Sequence, residues 1–228
     1  EQLIIEDSVE FLPAEGKLQA RLPFIQSPED NLLPNRRIAE KVLESQLKQT
    51  SACEQKRLDV IASHEKLRSK GYVRPLSELT AAEQASILEE TAGTYYIPWR
   101  VVHKEGSLST PTRMVFDASS KTPGGESLNN CLAKGANTLA NLNGKLLQFR
   151  SQPDCFAADI RMAYNGVSLH PSHYRYQLYL WREDLDPDSP VIVMVVMTII
   201  YGVRPSGNQL GAGLGKLADY TVEFYPQH

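Results

Sequence analysis

A chain of 228 residues is long enough to bury a sizeable core, as one large domain or two small ones. Its 42% hydrophobic and 22% charged residues are the proportions of an ordinary globular protein. A net charge of −3 excludes any global pull toward polyanions, so a nucleic-acid site has to come from local basic groups.

Three cysteines, Cys53, Cys131 and Cys155, are odd in number and widely spaced, with no CxxC or Cys/His ligand spacing. That argues against a zinc site or a disulfide framework and reads as reduced thiols in an intracellular protein. The longest apolar run, Val191 to Ile200, has ten residues, about half of the ~20 that span a bilayer, so no membrane partner is expected. The first residue is Glu1 and no signal segment follows, which suggests a piece of something longer.

In chain order, residues 1–35 carry four scattered prolines and read as an extended arm with room for one hairpin. Ile38, Val42, Leu43 and Leu47 recur at helical spacing from Arg36 to about Gln49. A second helix is expected from Cys53 to Lys70, with Leu58, Ile61 and Leu67 on one face and Gly71 as its stop. Thr80-Ala81-Ala82-Glu83 has the spacing of a capping box and opens a short helix within Ser77 to Glu90. Tyr95–His103 and Arg113–Asp117 are rich in β-branched and aromatic residues around a turn-like stretch, which predicts an antiparallel pair. A Pro/Gly loop at Lys121–Gly125 and a helix over Leu139–Phe149 follow.

The last third predicts a strand Cys155–Asp159, a short helix and a strand Tyr174–Trp181. After an acidic turn come a strand Val191–Ile200 and a glycine-rich loop opening a helix over about Gly207–Phe224. Helices mixed with hairpins and crossovers indicate an α+β fold.

Three groups carry chemical interest. Asp159 ends an apolar run beside a helical start, where a carboxylate can meet a metal or simply face solvent. Arg100, Lys104, Arg113 and Lys121 outnumber Glu105 and Asp117 between residues 100 and 121, giving a local basic hairpin that suits phosphate oxygens or is merely solvated. Tyr201-Gly202-Val203-Arg204-Pro205-Ser206-Gly207 opens a helix through a glycine loop that a flat ligand or phosphate can approach, though it is no P-loop and also fits a plain strand-to-helix connection. Two other patterns fall away. Asp117-Ala118-Ser119 lacks the glycine of an aspartic-protease loop, and His170 and His173 flank Pro171 as a surface turn does.

In this order the three groups resemble the fingers and palm motifs of reverse transcriptases. YIPWRVVHK, TRMVFDASSKTPGGESLNNCL, FAADIRMAYNGVSLHP, YQLYLW and TIIYGVRPSGNQ are similar to the polymerase of Bel/Pao-type LTR retrotransposons. The earlier LPFIQSPEDNLLPNRRIAEKVLESQLKQ and KGYVRPL resemble the segment that precedes the fingers there. The resemblance covers Tyr95 to Asp219 closely and the earlier chain loosely. It implies an N-terminal arm and helical segment over residues 1–92, and fingers with a partial palm over 93–228.

By motif match the resemblance makes Asp159 the first catalytic and metal-binding aspartate, with Ile160 beside the metal. Two Mg2+ ions would serve attack of a primer 3′-hydroxyl on a deoxynucleotide. Lys104 and Arg113 match the finger residues that hold the incoming triphosphate, and Ile160 to Ala163 the backbone beside it. Tyr164 matches the aromatic gate against a 2′-hydroxyl, while Gly202, Val203 and Arg204 match the loop under the incoming nucleotide. Asp117, Ser119 and Asn129 fall on the template side. Implied partners are an RNA or DNA template with its primer, deoxynucleotide triphosphates and the rest of a polyprotein, in the cytoplasm or in virus-like particles.

Departures accompany the likeness. Met162 stands where many retroviral polymerases carry a second acid, and Gly207 where proline is frequent. No Tyr-x-Asp-Asp follows before His228, so the expectation is a truncated RNA-directed DNA polymerase segment, inactive in isolation. The alternatives are a decayed or domesticated nucleic-acid-binding remnant without catalysis, and a truncation too incomplete to fold stably.

Overall fold

The computed structural model describes residues 1–88, 92–103, 112–137, 141–151 and 153–224. The arm opens with a helix α1 (Gln2–Asp7) and a hairpin of β1 (Val9–Leu12) and β2 (Lys17–Ala20), so one hairpin forms as the prolines left room for. After a single turn α2 (Pro28–Asn31), the two periodic stretches become α3 (Arg36–Ser51) and α4 (Glu54–Arg68). Leu43 and Leu47 of α3 are buried, as their spacing requires. In α4 the buried residues are Val60 and His64; of the expected face, Ile61 and Leu67 are half-buried and Leu58 is 47% exposed, because the helix turns a different side to the core.

The strand β3 (Val73–Pro75) leads to α5 (Ala81–Leu88), whose start carries the expected reciprocal cap. Glu83 Oε2 accepts from the Thr80 N–H at 2.9 Å, and Thr80 Oγ1 accepts from the Glu83 N–H at 3.3 Å. Next come β4 (Trp99–His103) and β5 (Thr112–Phe116), antiparallel with Val102 opposite Arg113. The expected turn between them lies outside the described residues, and Lys104 with it. A short α6 (Leu128–Cys131) and then α7 (Leu142–Arg150) follow.

Three strands close the sheets: β6 (Val167–Leu169), β7 (Leu178–Arg182) and β8 (Val191–Val196). They precede the long α8 (Ser206–Phe224). One sheet runs β3–β8–β7, all antiparallel, and β4–β5 stands as a separate pair. The third, β1–β2–β6, is mixed, because β6 joins β2 in parallel. The architecture is therefore mixed helix and sheet, with small, mainly antiparallel sheets.

The main core extends from Leu22 to Val203 and draws on both halves of the chain. Its centre is aromatic. Trp99 Nε1 donates to the Leu180 carbonyl at 2.8 Å, and the His64 ring stacks on Trp181 at 3.8 Å while meeting the Tyr179 hydroxyl at 2.9 Å. Asn35 fastens the arm side to this core by using both ends of its amide. It donates to the Tyr96 carbonyl at 2.8 Å and accepts the Tyr96 N–H at 2.9 Å.

Four expected strands change. The strand expected from Tyr95 begins at Trp99, and the one expected to run to Ile200 ends at Val196. Residues 155–160 form no strand; they are exposed, with Phe156 91% accessible, and no described segment pairs with them. A strand needs a neighbour for its backbone N–H and C=O groups, and hydrophobicity alone supplies none. The strand expected from Tyr174 starts only at Leu178. Pro171 opens a 3-10 turn over Pro171–Tyr176, and His170 Nδ1 accepts the Ser172 N–H. No described helix is long and apolar enough to cross a membrane.

Candidate functional site

The glycine loop and the turn after Asp159 meet although nearly forty residues of chain separate them. Ala163–Gly166 is a 3-10 turn entered through Met162 at φ 54, a left-handed conformation that costs a bulky residue on the order of 1 kcal/mol. That reversal brings the Tyr164 ring onto Tyr201, with centroids 4.1 Å apart. Burial, then the neighbouring Tyr201 hydroxyl, raises the Tyr164 pKa and keeps it protonated. The Gly207 backbone approaches closely enough that a Cβ there would sit 3.6 Å from the Tyr164 hydroxyl.

The loop itself is held from the β5 side. Gly202 has φ +94, and a Cβ would come within 2.1 Å of the Phe116 carbonyl oxygen, so no other residue fits this crossing. Asn129 Nδ2 donates to the Gly202 carbonyl at 2.9 Å and to Ser119 Oγ at 2.8 Å, while its Oδ1 accepts the Arg204 N–H at 2.8 Å. One buried amide thus ties three segments together. Ser119 in turn donates its N–H to Asp117 Oδ1 at 3.1 Å, and Asp117 lies 3.7 Å from the Arg100 guanidinium.

Val203 is buried and Arg204 exposed, so the loop is anchored by one neighbour and presents the other to solvent. A cavity of about 110 Å3 opens beside it, lined by Met114, Phe116, Asn165, Ile200 and Tyr201 among others. Asn165 Nδ2 donates to Thr198 Oγ1 at 3.0 Å, which fastens the turn to the end of β8.

The structure therefore brings together Tyr164, Gly202, Val203 and Arg204, and adds Asn129, Ser119 and Tyr201. Arg113 is exposed on β5, opposite Val102. Ala163 starts the turn half-buried, and Ile160 is 57% exposed. Asp159 is exposed on the unpaired stretch, within about 18 Å of Tyr164 by chain reach alone. Lys104 lies outside the described residues.

Two Mg2+ ions need several oxygen donors, and Asp159 is the carboxylate the motif supplies. Among the described residues no three His, Cys, Asp or Glu side chains are grouped to hold a metal, so these residues alone do not fit that pair. What the arrangement offers chemically is an aromatic-walled groove with basic groups on a neighbouring hairpin. Tyr201 and Asn129 carry roles that motif reading had not assigned individually. The pairing of Tyr201 with Tyr164 leaves no local spacing signal, because it is made across the fold.

An uncovered apolar surface lies apart from this groove. No residue of α7 is buried, and Leu142, Leu147 and Phe156 are 70%, 70% and 91% exposed. Cys155 Sγ and the Phe149 carbonyl meet at 2.7 Å, so α7 and residues 154–156 pack on each other around an open trough of about 400 Å3.

Comparison with known proteins adds no relative: no family model matches the chain, and no curated protein matches it.

Proposed function

We propose that this chain is the fingers and partial palm of an RNA-directed DNA polymerase of the Bel/Pao retrotransposon class, and that its own contribution is to bind template, primer and nucleotide. The observation that carries the reading is the Asn129 clamp together with the Tyr164–Tyr201 contact. Motif strings that resemble polymerase signatures at positions 113–129, 159–164 and 201–207 are scattered in sequence, yet several of their residues meet around one groove. In this reading Tyr164 crowds the sugar, the Gly202–Arg204 loop lies beneath the base, and Arg113 with Lys104 holds phosphate. Mg2+, held by Asp159 with further acids, belongs to the complete polymerase.

Fluorescence anisotropy with a labelled RNA–DNA template–primer tests the binding claim. Binding at low salt is expected to weaken steeply as salt rises, and Arg113→Ala to lower the log–log salt slope by about one. No binding at 50 mM salt would sink the reading. The catalytic assignment is tested in the polymerase that contains this segment, where Asp159→Asn is expected to abolish primer extension. Equal extension by both forms removes Asp159 from the chemistry.

A second reading is a domesticated binding module without catalysis. It is favoured by the lone exposed Asp159 and the absence of an acidic trio among the described residues. It predicts salt-sensitive binding with no nucleotide incorporation by any natural form of the chain.

A further inference from the structure

At the head of α8 three segments converge: the first residues of α1, the loop after α6, and α8 itself. The Glu1 carboxylate oxygen Oε2 accepts the backbone N–H of Lys134 at 2.8 Å and that of Gly135 at 3.3 Å. The next N–H, of Ala136, donates to the Gln2 side-chain oxygen at 3.1 Å. Three successive backbone donors thus serve acceptors from one short stretch of chain, the arrangement of an anion-binding nest.

The loop is built for this. Gly135 has φ +80, and a Cβ there would come within 2.4 Å of Asn208 Nδ2 and 2.5 Å of Ile5 Cδ1. Asn208 Nδ2 donates to the Lys134 carbonyl at 2.7 Å and fixes the loop to the first turn of α8. Helix α1 is pinned in turn, because Lys216 Nζ donates to the carbonyls of Glu6 and Val9 at 2.8 and 2.6 Å. The Lys134 N–H, then the Gly135 N–H, hold the Glu1 carboxyl below the usual carboxylate range, and the adjacent N-terminal ammonium and then the Arg204 guanidinium add to this.

We propose that the Lys134–Ala136 nest is a phosphate-oxygen site, and that Glu1 is an internal stand-in which a nucleic-acid phosphodiester displaces. The nucleic-acid occupant rests on the function proposed above, whereas the nest and its competitor stand on their own geometry. A phosphodiester presents two anionic oxygens, as the carboxylate does; one takes the place of Glu1 Oε2 on the Lys134 and Gly135 N–H groups, and the second serves the Ala136 N–H now given to Gln2. The displaced Glu1 is already exposed and returns to water. A tethered carboxylate acts at high effective concentration, so Glu1 lowers the apparent affinity of any anion that competes with it.

Amide NMR on the 228-residue chain reads the nest directly, with inorganic phosphate in one titration and single-stranded oligothymidylate in the other. In Glu1→Gln the Lys134, Gly135 and Ala136 resonances are expected to move in both titrations, at midpoints on the order of threefold to tenfold lower than in the parent chain. Glu1→Asp, with the charge kept and the reach shortened, is expected to fall between. Unmoved amides in Glu1→Gln, or unchanged midpoints, overturn the proposal. Movement with inorganic phosphate alone overturns the phosphodiester as occupant. Template–primer binding that responds to Arg113→Ala but not to Glu1→Gln retains the proposed function while rejecting the nest.

Discussion

Asn129 shows how one buried side chain governs the site. Its amide makes three hydrogen bonds to two other segments, and its removal leaves the Arg204 N–H and the Gly202 carbonyl without their protein partner. Asn129→Ala is expected to cost about 1–3 kcal/mol in urea unfolding and to weaken template–primer binding more than an exposed substitution does. Gly202→Ala meets the Phe116 carbonyl at 2.1 Å in a left-handed conformation, so a loss of at least about 1–3 kcal/mol is expected by the same measurement.

A different residue-scale test concerns pH. Burial lowers the His64 pKa from 6.5 to about 4, with Arg68 adding to the shift, and His173 is likewise lowered to about 4, mainly by burial. A histidine depressed in the folded state contributes stability that is full above pH 6.5 and is lost as pH falls toward 4. The urea midpoint is therefore expected to fall between pH 7 and pH 4.5. His64→Phe, which keeps an aromatic ring beside Trp181 and removes one titration, is expected to flatten that slope while giving up the bond to Tyr179. An unchanged slope in the variant would place the acid sensitivity elsewhere.

At the scale of elements, α8 carries glycines whose roles the structure separates. A Cβ at Gly211 or Gly215 meets nothing within 4 Å, whereas one at Gly213 would sit 3.0 Å from Leu18 Cδ1 and 3.4 Å from Val9 Cγ1, where the helix crosses the β1–β2 hairpin. Gly211→Ala and Gly215→Ala are each expected to stabilise by about 0.5–1 kcal/mol through helix propensity. Gly213→Val is expected to destabilise, because a branched side chain has no room against the hairpin. Thermal melts of the three variants give the ranking, and a stabilising Gly213→Val would refute this account of the crossing.

The same element scale shows what local sequence can carry. Helix α3 rests on apolar residues recurring every three to five positions, and α5 on the Thr80–Glu83 cap; both signals lie within a few residues and were legible. In α4 the helix was legible but its inner face was not, since Leu58 is exposed and His64 is buried against the aromatic core. The β4–β5 pair was legible because its two halves are near neighbours in sequence. The run Phe156-Ala157-Ala158-Asp159 has the composition of a strand, but a strand is completed by a partner elsewhere. The parallel pairing of β6 with β2, some 150 residues away, left no local trace for the same reason. Within the candidate site, Tyr164 and Gly202–Arg204 were singled out through motif likeness. Asn129 was placed beside them with no individual role, because its bonds to Gly202 and Arg204 cross more than 70 residues.

Across the whole molecule, burial is unevenly shared, and stability should follow it. Strands β7 and β4 sit in the aromatic core with Trp181, Tyr179 and Trp99 almost fully buried, while α7 has no buried residue at all. Cooperative opening of a segment costs the apolar contacts it must break, so weakly buried elements open without global unfolding. Amide hydrogens of Leu146–Arg150 are therefore expected to exchange through local opening, orders of magnitude faster than those of Tyr179 and Trp181, and with little dependence on dilute urea. Those of β7 should exchange only with global unfolding and track the urea slope of the whole chain. Exposed Leu147 and Phe156 should also bind an apolar dye, and Leu147→Lys with Phe156→Ser should reduce that signal without shifting the main melt, since neither side chain supports the core. Protection of α7 equal to that of β7 would mean that this face is covered in solution by another surface, and the dye signal would then be absent as well.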